Sequence, residues 1–403
     1  MDPLVHPGPA LSAAELARYS RHLSLPGVGL DGQRRLANAR ILVIGAGGLG
    51  SPALLYLAAA GVGTIGVLDA DVVDESNLQR QVIHGQSDLG RLKVDSAADR
   101  IAELNPHVRV RTHPERLDSS NALELLRDYD LVLDGTDNFP TRYLVSDACE
   151  LLGLPVVWGS IFRFDGQVSV FWAGRGPTYR DLFPAPPPPG AVPSCAEGGV
   201  FGVLCAAVGA VMGTEAVKLV CGIGDPLLGR LLVFDALAMS WREIRVRPAP
   251  DRSPVTELID YQQFCGPPGW DAASSASASS SSASSFGATA AEPGTIDVQT
   301  LRALLSARER GQDDFVLVDV REAYEREIVV IPGAVHVPLG DLLAPQGIDR
   351  LPADLRVVLH CKSGGRSAKA LEALHAAGRT DAMHVGGGVL AWIRQIDPSL
   401  PTY

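Results

Sequence analysis

The chain has 403 residues, which is too long for one typical domain and sufficient for two. Its formal net charge of −11 argues against a nucleic acid or a membrane surface as a partner, because both require clustered Lys and Arg. Residues 1–10 lack the pattern of a signal peptide, and no continuous apolar run is long enough to cross a bilayer, so we expect a cytoplasmic protein.

The first part of the chain alternates apolar strands with helices. A short helix is predicted over 11–21, with Ser12 as its cap. Strands are predicted at 40–44, 64–69, 131–134, 155–158 and 168–172, the last of them antiparallel, and a small-residue helix at 51–60. This alternation predicts an α/β fold with a Rossmann-like, doubly wound sheet.

An apolar stretch of small residues over 202–222 predicts a long helix. Glu215 and Lys218 lie within it, so we interpret it as a packed core or dimer helix and not as a membrane span.

A tether is predicted over 272–291, where Ser and Ala dominate and charge is almost absent. Strands at 315–320 and 357–360 then predict a second, small α/β unit. The predicted organisation is a first domain over 1–267, a flexible linker over 268–293 and a second domain over 294–403.

Six cysteines are spread through a large chain without close spacing, which is not the pattern of a disulfide framework. No C-x-x-C pair is present to start a zinc site. Cys149 and Cys205 lie in apolar helical stretches, and we interpret them as small buried core residues. Cys195 and Cys361 lie beside glycine-rich turns, which makes them the candidates for chemistry.

A glycine-rich loop follows the first strand. Gly45, Gly47 and Gly50, with Gly48 between them, let the backbone turn tightly and let phosphates approach the helix N-terminus. Asp69 ends the next strand, where a carboxylate can accept from ribose hydroxyls. Taken alone, this pattern is weak and favours a nicotinamide-dependent dehydrogenase.

Further polar residues follow at the carboxyl ends of strands, where doubly wound folds bind ligands. They include Arg80, Lys93 in the next helix, and Asp137 after a later strand. Two cations and a second carboxylate suit a triphosphate with Mg²⁺, whereas a hydride-transfer cofactor needs no such cluster.

Several ordered motifs together resemble the E1-like adenylyltransferases of the MoeB/ThiF type. The motifs are Arg18–Arg21, the glycine loop 45–50, Ser76–Gln81, Gly90–Lys93 and Asp134–Asn138, and the resemblance runs through residues 11–266. It implies a nucleotide-binding domain that uses ATP and Mg²⁺ to activate a small ubiquitin-like sulfur carrier protein.

The resemblance also implies roles for individual residues. In the family, Asp69 would bind the ribose, and Asn77, Arg80 and Lys93 would bind the phosphates. Asp137 would hold Mg²⁺, and Asn138, the next residue of the same motif, would also be a nucleotide-binding residue. Arg21 would reach into the neighbouring subunit's site, which implies a homodimer. Cys195 lies in a loop that resembles the family's flexible loop near the carrier's tail. It would form a thioester or acyl disulfide, resolve a mixed disulfide, or have no required role.

The sequence departs from this family where many relatives carry two Cys-x-x-Cys pairs for a structural zinc. This chain has Thr178–Asp181 at the first position and keeps only Cys265 near the second. One thiolate cannot make a tetrahedral site, so we predict no zinc and a region held by packing.

The second domain carries a loop from Cys361 to Arg366 between a strand and a helix that is predicted to start near Ser367. Backbone N–H groups, the helix dipole and Arg366 would stabilise an anion at Cys361. Four residues separate Cys361 and Arg366, a tight ring that suits a persulfide sulfur.

This loop, together with Val318–Glu322, Ile331–Pro338 and Gly386–Trp392, resembles the rhodanese domain over residues 294–403. We expect Asp319 to be structural and His336 to be a strand-packing residue. The alternative for Cys361 is an inert thiol in a regulatory module.

Together the two resemblances imply adenylation of the C-terminal carboxylate of a carrier that ends in Gly-Gly, followed by sulfur transfer from a Cys361 persulfide to give a thiocarboxylate. Thiosulfate or a cysteine desulfurase would supply the sulfur. The absent zinc cysteines resemble actinobacterial two-domain members and favour molybdenum-cofactor synthesis over cysteine, thiamine or tRNA-thiolation pathways. Two rival functions stay open: a nicotinamide-dependent oxidoreductase fused to a rhodanese, and a non-catalytic scaffold that binds carriers.

Overall fold

The computed structural model describes residues 1–187, 199–266 and 294–402. The chain forms two compact units, Met1–Ser280 and Ser281–Tyr403. The predicted linker, 268–293, lies outside the described residues, and its boundaries stay a prediction.

The first unit is built on an eight-stranded sheet of order β3-β2-β1-β4-β5-β6-β7-β8. The strands are β1 Arg40–Ile44, β2 Thr64–Leu68, β3 Arg109–His113, β4 Leu131–Asp134, β5 Val156–Phe162, β6 Asp165–Phe171, β7 Arg230–Asp235 and β8 Ser240–Arg245. The pairs from β3 to β5 are parallel, and β5 to β8 form an antiparallel extension. The Rossmann-like α/β prediction is confirmed.

Ten helices are described in this unit. They are α1 Ala13–Arg18, α2 Ser20–Leu23, α3 Gly29–Asn38, α4 Gly50–Ala60, α5 Lys93–Leu104, α6 Ala122–Leu126, α7 Phe139–Leu152, α8 Tyr179–Leu182, α9 Gly202–Cys221 and α10 Tyr261–Cys265. Apolar residues of α3, α4, α5 and α9 form one core with the sheet, and residues of α6, α7 and α8 contribute to a second.

The single helix predicted over 11–21 is wrong in one respect, because the chain forms α1 and α2 with a break at Tyr19. The Tyr19 side chain is 4% exposed, and its hydroxyl accepts a hydrogen bond from Asn105. Ser12 caps α1 as predicted, with Glu15 completing a capping box.

The long helix α9 packs inside the first unit against α4 and β5. It is long and apolar enough to span a membrane by length and composition, but 56% of its most apolar window is buried within the unit. Glu215 is also held within this core, because it accepts a hydrogen bond from the Leu227 N–H and pairs with Lys218. The interpretation as a packed core helix is confirmed.

The second unit contains a parallel five-stranded sheet of order β11-β10-β12-β13-β9. Its strands are β9 Thr295–Ile296, β10 Phe315–Asp319, β11 Ala334–His336, β12 Arg356–His360 and β13 Met383–Val385. Its helices are α11 Val298–Glu309, α12 Ala323–Ile328, α13 Leu339–Leu342, α14 Gly365–Ala376 and α15 Gly388–Gln395. The small α/β unit is confirmed, although α14 begins two residues before the predicted Ser367.

Candidate functional site

A cavity of ≈ 490 Å³ lies at the carboxyl ends of β1, β2 and β4 in the first unit. Parallel strands end at the same edge of a sheet, so residues far apart in sequence meet there. The predicted residues that line the cavity are Gly45, Gly47, Gly48, Asp69, Arg80, Lys93, Asp137 and Asn138. The structure therefore brings most of the predicted nucleotide residues together.

The glycine loop makes a turn that side chains would block. Gly45 has a φ of +90°, and a Cβ on Gly50 would lie 1.8 Å from the carbonyl oxygen of Gly45. Gly50 is therefore required by the turn and is not itself a lining residue. A Cβ on Gly48 would lie 2.8 Å from the sulfur of Cys205, which packs beneath the loop.

Asp69 holds the glycine loop through its carboxylate. One oxygen accepts from the Ala46 N–H at 2.9 Å, and the other accepts from the Asp71 N–H at 2.8 Å. Burial raises the pKa of Asp69, and the charge of Lys93 acts against that rise. The same carboxylate lines the cavity, where it can also accept from ribose hydroxyls.

Lys93 is almost fully buried, but its ammonium reaches the cavity. Its Nζ lies 3.0 Å from the carboxylate of Asp71, whose side chain is 65% exposed. Arg80 donates to the Ser76 carbonyl at 2.9 Å. Both cations therefore have partners that an anionic ligand could replace.

Three of the predicted site residues either make local structural hydrogen bonds or lie outside the cavity lining. Asn138 caps α7 by accepting from the Thr141 N–H at 3.0 Å, although it also borders the cavity. Asn77 accepts from the Asp74 N–H and is not a lining residue. Arg21 is exposed on α2, away from the cavity lining of its own chain, and its predicted role across a dimer stays a prediction.

Asp137 is exposed at the cavity rim and is the residue predicted to hold Mg²⁺. Within the described residues there is no group of three or more His, Cys, Asp or Glu side chains that could hold a metal ion. Mg²⁺ commonly uses one or two carboxylates and takes its remaining ligands from phosphates and water. The Asp137 carboxylate at the rim of this ≈ 490 Å³ cavity therefore fits Mg²⁺ bound together with a nucleotide.

The region where a zinc site would lie is held by an arginine cluster. Arg180 makes two 2.7 Å hydrogen bonds to Asp147, and the Tyr261 hydroxyl donates to the same carboxylate at 2.6 Å. The Arg180 guanidinium also lies 5.1 Å from the ring centre of Tyr143 and 5.0 Å from that of Phe264. This packing joins α7, α8 and α10, and the absence of zinc stays a prediction.

The sulfur loop of the second unit encloses Cys361, which is 1% exposed. The Gly364 N–H donates to its Sγ at 3.1 Å, and the Ser367 hydroxyl lies 3.5 Å from Sγ. Gly364 has a φ of +111°, a conformation that favours glycine, and α14 begins at the next residue. The loop thus supplies a backbone donor and a helix N-terminus to an anionic sulfur.

Arg366 has a partner that the sequence analysis did not foresee. Its guanidinium makes two hydrogen bonds, of 2.5 and 2.7 Å, to the carboxylate of Glu325 on α12. This buried acid balances part of the positive charge of Arg366, and the role of Arg366 in stabilising an anion at Cys361 stays a prediction.

Asp319 is structural, as predicted. It is fully buried, and its carboxylate accepts from the backbone and guanidinium of Arg321 at 2.7 to 3.0 Å. These bonds and the neighbouring charges hold the pKa of Asp319 below its usual value in spite of burial. His336 ends β11 and lies 2.8 Å from the Arg321 carbonyl, which agrees with a packing role.

Cys195 lies outside the described residues, so its role stays a prediction. Cys149 and Cys205 are each 1% exposed, which confirms them as core residues. The sequence analysis missed Asp71, His84 and Glu325. A signal existed for Glu325, since an acid three residues after Glu322 forms a capping box at the start of α12.

Family models match both parts of the chain. The model of the ThiF family matches residues 19–255, and that of the Rhodanese-like domain matches residues 300–395. The chain belongs to the ThiF family. This ThiF-family chain carries a C-terminal rhodanese-like domain, and its enzyme classes are nucleotidyltransferase and sulfurtransferase.

Three relatives of this ThiF-family chain match it over different lengths. It is 56% identical over 407 residues to the probable adenylyltransferase/sulfurtransferase MoeZ of Mycobacterium tuberculosis, covering 100% of this chain and 99% of the relative. It is 40% identical over 408 residues to the adenylyltransferase and sulfurtransferase MOCS3 of Drosophila ananassae, covering 98% and 86%. It is 56% identical over 264 residues to the sulfur carrier protein adenylyltransferase of Thermus thermophilus, covering 62% and 97%.

Solved structures share the fold of the first unit. Escherichia coli MccB with ATP matches with a TM-score of 0.52 and 19% identity, covering 59% of this chain and 74% of that one. PaaA matches with a TM-score of 0.51 and 23% identity, covering 60% and 76%. At these identities the likeness supports the fold of the ThiF-family unit and nothing further.

Proposed function

We propose that this enzyme uses ATP to adenylate the C-terminal glycine carboxylate of a small ubiquitin-like sulfur carrier protein and then converts the adenylate to a thiocarboxylate. The observation that carries the proposal is the single cavity that collects the glycine loop, Asp69, Arg80, Lys93 and Asp137. The relative from Thermus thermophilus, named a sulfur carrier protein adenylyltransferase, supports the choice of substrate.

The adenylation step needs cations more than a base. A carboxylate oxygen of the carrier attacks the α-phosphorus of ATP, the bond between that phosphorus and the β-phosphate oxygen breaks, and pyrophosphate leaves. The nucleophile is already ionised, so no protein group has to remove a proton. The obstacle is repulsion between the carboxylate and the phosphates, which Lys93 and Arg80 offset, and such a donor typically contributes about 10²–10³ in rate.

The glycine loop and Asp69 bind the nucleotide in this scheme. The loop lets phosphates approach the N-terminus of α4, and Asp69 accepts from the ribose. Asp137 would hold Mg²⁺, which neutralises phosphate charge when it is bound with ATP. Lys93 would exchange Asp71, 3.0 Å away, for a phosphate oxygen.

The sulfur step uses Cys361 as a persulfide. Its terminal sulfur attacks the carbonyl carbon of the acyl-adenylate, AMP leaves with the electron pair of the broken bond, and an acyl disulfide forms. A second thiolate, for which we propose Cys195, attacks Cys361 Sγ. The sulfur–sulfur bond to the acyl group then breaks and releases the thiocarboxylate. The new disulfide between Cys195 and Cys361 returns to thiols through a dithiol reductant.

We propose molybdenum-cofactor synthesis as the pathway, and the support is the resemblance to actinobacterial two-domain members that the missing zinc cysteines carry. The sulfur donor in this proposal is thiosulfate or a cysteine desulfurase. Arg21 completes the site of a second subunit in a homodimer, and the protein acts in the cytoplasm.

Exchange of labelled pyrophosphate into ATP tests the proposal. The full chain is incubated with ATP, Mg²⁺ and each of a panel of purified β-grasp proteins that end in Gly-Gly. Exchange that depends on one carrier, and that disappears when the terminal glycine is removed, supports it. A nicotinamide-dependent oxidoreductase would show no exchange with any carrier, and a scaffold would bind a carrier without exchange.

A further inference from the structure

His84 is a buried histidine that touches the glycine loop, and it is 6% exposed. Its Nε2 lies 2.9 Å from the carbonyl oxygen of Ala46, and its Nδ1 lies 2.8 Å from the hydroxyl oxygen of Ser96. Ser96 belongs to α5, the helix that begins with Lys93. His84 therefore joins the glycine loop to the helix that supplies the cavity's lysine.

The Ala46 carbonyl and the burial of the ring define the form of the imidazole. A carbonyl oxygen can only accept, so Nε2 must carry a hydrogen that it donates to Ala46. Burial lowers the pKa of His84 below its usual value, and Lys93 acts in the same direction. His84 is therefore a neutral donor to Ala46.

Ala46 is held from both sides by these contacts. Its N–H donates to Asp69 at 2.9 Å, and its carbonyl accepts from His84 at 2.9 Å. A trans peptide group is planar, with the C=O and the next N–H pointing in opposite directions. The Gly47 N–H, which shares a peptide group with the Ala46 carbonyl, therefore points away from His84.

Gly47 lines the cavity. Among the residues that the structure describes, none accepts a hydrogen bond from its N–H. We propose that His84 is a positioning residue for adenylation, which holds the Ala46 carbonyl so that the Gly47 N–H faces the cavity as a donor to a phosphate of ATP. This inference rests on the proposed function, because it needs ATP in this cavity.

Binding of ATP and of adenosine to the full chain tests the role of His84. In His84→Gln the amide nitrogen takes the place of Nε2, and in His84→Asn it takes the place of Nδ1 and cannot reach Ala46. We expect His84→Asn to weaken ATP binding about tenfold or more, the size of a lost hydrogen bond to a charged group, and His84→Gln to restore most of it. Adenosine, which has no phosphate, should bind all three proteins equally.

A second pair of variants tests the Gly47 N–H donor itself, because one variant keeps it and the other removes it. A Cβ on Gly47 would meet its nearest neighbour, the side chain of Gln81, at an ordinary 3.6 Å. Gly47→Ala keeps the N–H, whereas Gly47→Pro removes it. The proline variant should therefore bind ATP more weakly than the alanine variant, even if His84→Asn does not fold.

Three results would overturn the inference. Wild-type ATP affinity in a folded His84→Asn protein, or in Gly47→Pro, would show that the aimed N–H has no part in binding. Equal losses of ATP and adenosine affinity would show that His84 only maintains the fold. Absence of ATP binding by the wild type would instead overturn the proposed function, and the inference with it.

Discussion

The two sites of this enzyme differ in how their positively charged side chains are paired. In the first unit, the cations at the cavity have exchangeable partners: Lys93 pairs with the exposed Asp71, and Arg80 with a backbone carbonyl. In the second unit, Arg366 pairs with Glu325, an acid that is 2% exposed, and a backbone N–H donates to the reactive sulfur.

The difference reflects the size of what each site holds. A nucleoside triphosphate is large and highly charged, so it needs side-chain cations that can exchange their resting partners for phosphate oxygens. A single sulfur atom needs a small rigid cradle, and backbone donors supply it without rearrangement.

The largest expected effect concerns the exchangeable cation. Lys93→Ala should lower carrier-dependent AMP formation by about 10²–10³-fold, because one donor to the developing charge is lost. Transfer of sulfur from thiosulfate to cyanide should stay at the wild-type rate, because that reaction uses only the second unit. Arg111→Ala, which breaks an exposed pair with Asp128, is the matched control and should change neither rate. An equal fall in both reactions would contradict the separation of the two sites.

Loss of the Arg366–Glu325 ion pair should lower the stability of the second unit. Glu325→Gln removes the buried carboxylate charge that pairs with Arg366 and should lower the free energy of unfolding of the second unit by about 3 kcal/mol, measured by calorimetry. Glu327→Gln, at an exposed position of the same helix, should leave that free energy unchanged. If the two variants are equally stable, the Arg366–Glu325 pair does not hold the second site together.

Acid should weaken the second unit through His360. Burial lowers the pKa of this fully buried imidazole from 6.5 to about 4. As the pH falls from 6.5 to 4, the unfolded chain binds a proton that the folded chain does not, so stability is lost across that window, by up to about 3 kcal/mol. His360→Leu should remove this part of the pH dependence in calorimetry. An unchanged pH profile in that variant would assign the acid sensitivity to other groups.

The smallest expected effect is a gain in stability at a glycine that the fold does not require, and a glycine that the turn does require serves as the contrast. A Cβ on Gly213 of α9 would meet no atom within 4 Å, so Gly213→Ala should raise the free energy of unfolding by about 0.5–1 kcal/mol. Gly50→Ala should instead abolish ATP binding, because the methyl group collides with the Gly45 carbonyl. Thermal unfolding and ATP titration of the two variants check this contrast, which a stable, ATP-binding Gly50→Ala protein would contradict.

Much of this architecture could be predicted from the sequence because local patterns determine it. Apolar runs gave β1 and β4 with correct bounds, and glycine spacing located both reactive loops. The parallel order of the sheet then placed Asp69, Lys93 and Asp137 at one cavity.

Pairings across the fold could not be predicted in this way. Arg366 lies 41 positions from Glu325, and Lys93 lies 22 from Asp71, and neither spacing carries a periodic signal. The buried bonds of Tyr19 and His84 likewise depend on which elements pack together. Local propensity cannot report such contacts, because they exist only once the sheet has assembled.

The most direct test of the central claim follows the mass of a Gly-Gly-ended carrier incubated with the enzyme, Mg-ATP and thiosulfate. We predict a mass gain equal to replacement of one carboxylate oxygen by sulfur, and its loss in Cys361→Ala while AMP formation continues. A carrier that is adenylated but never gains sulfur, or one that gains it equally with Cys361→Ala, would contradict the coupling of the two sites.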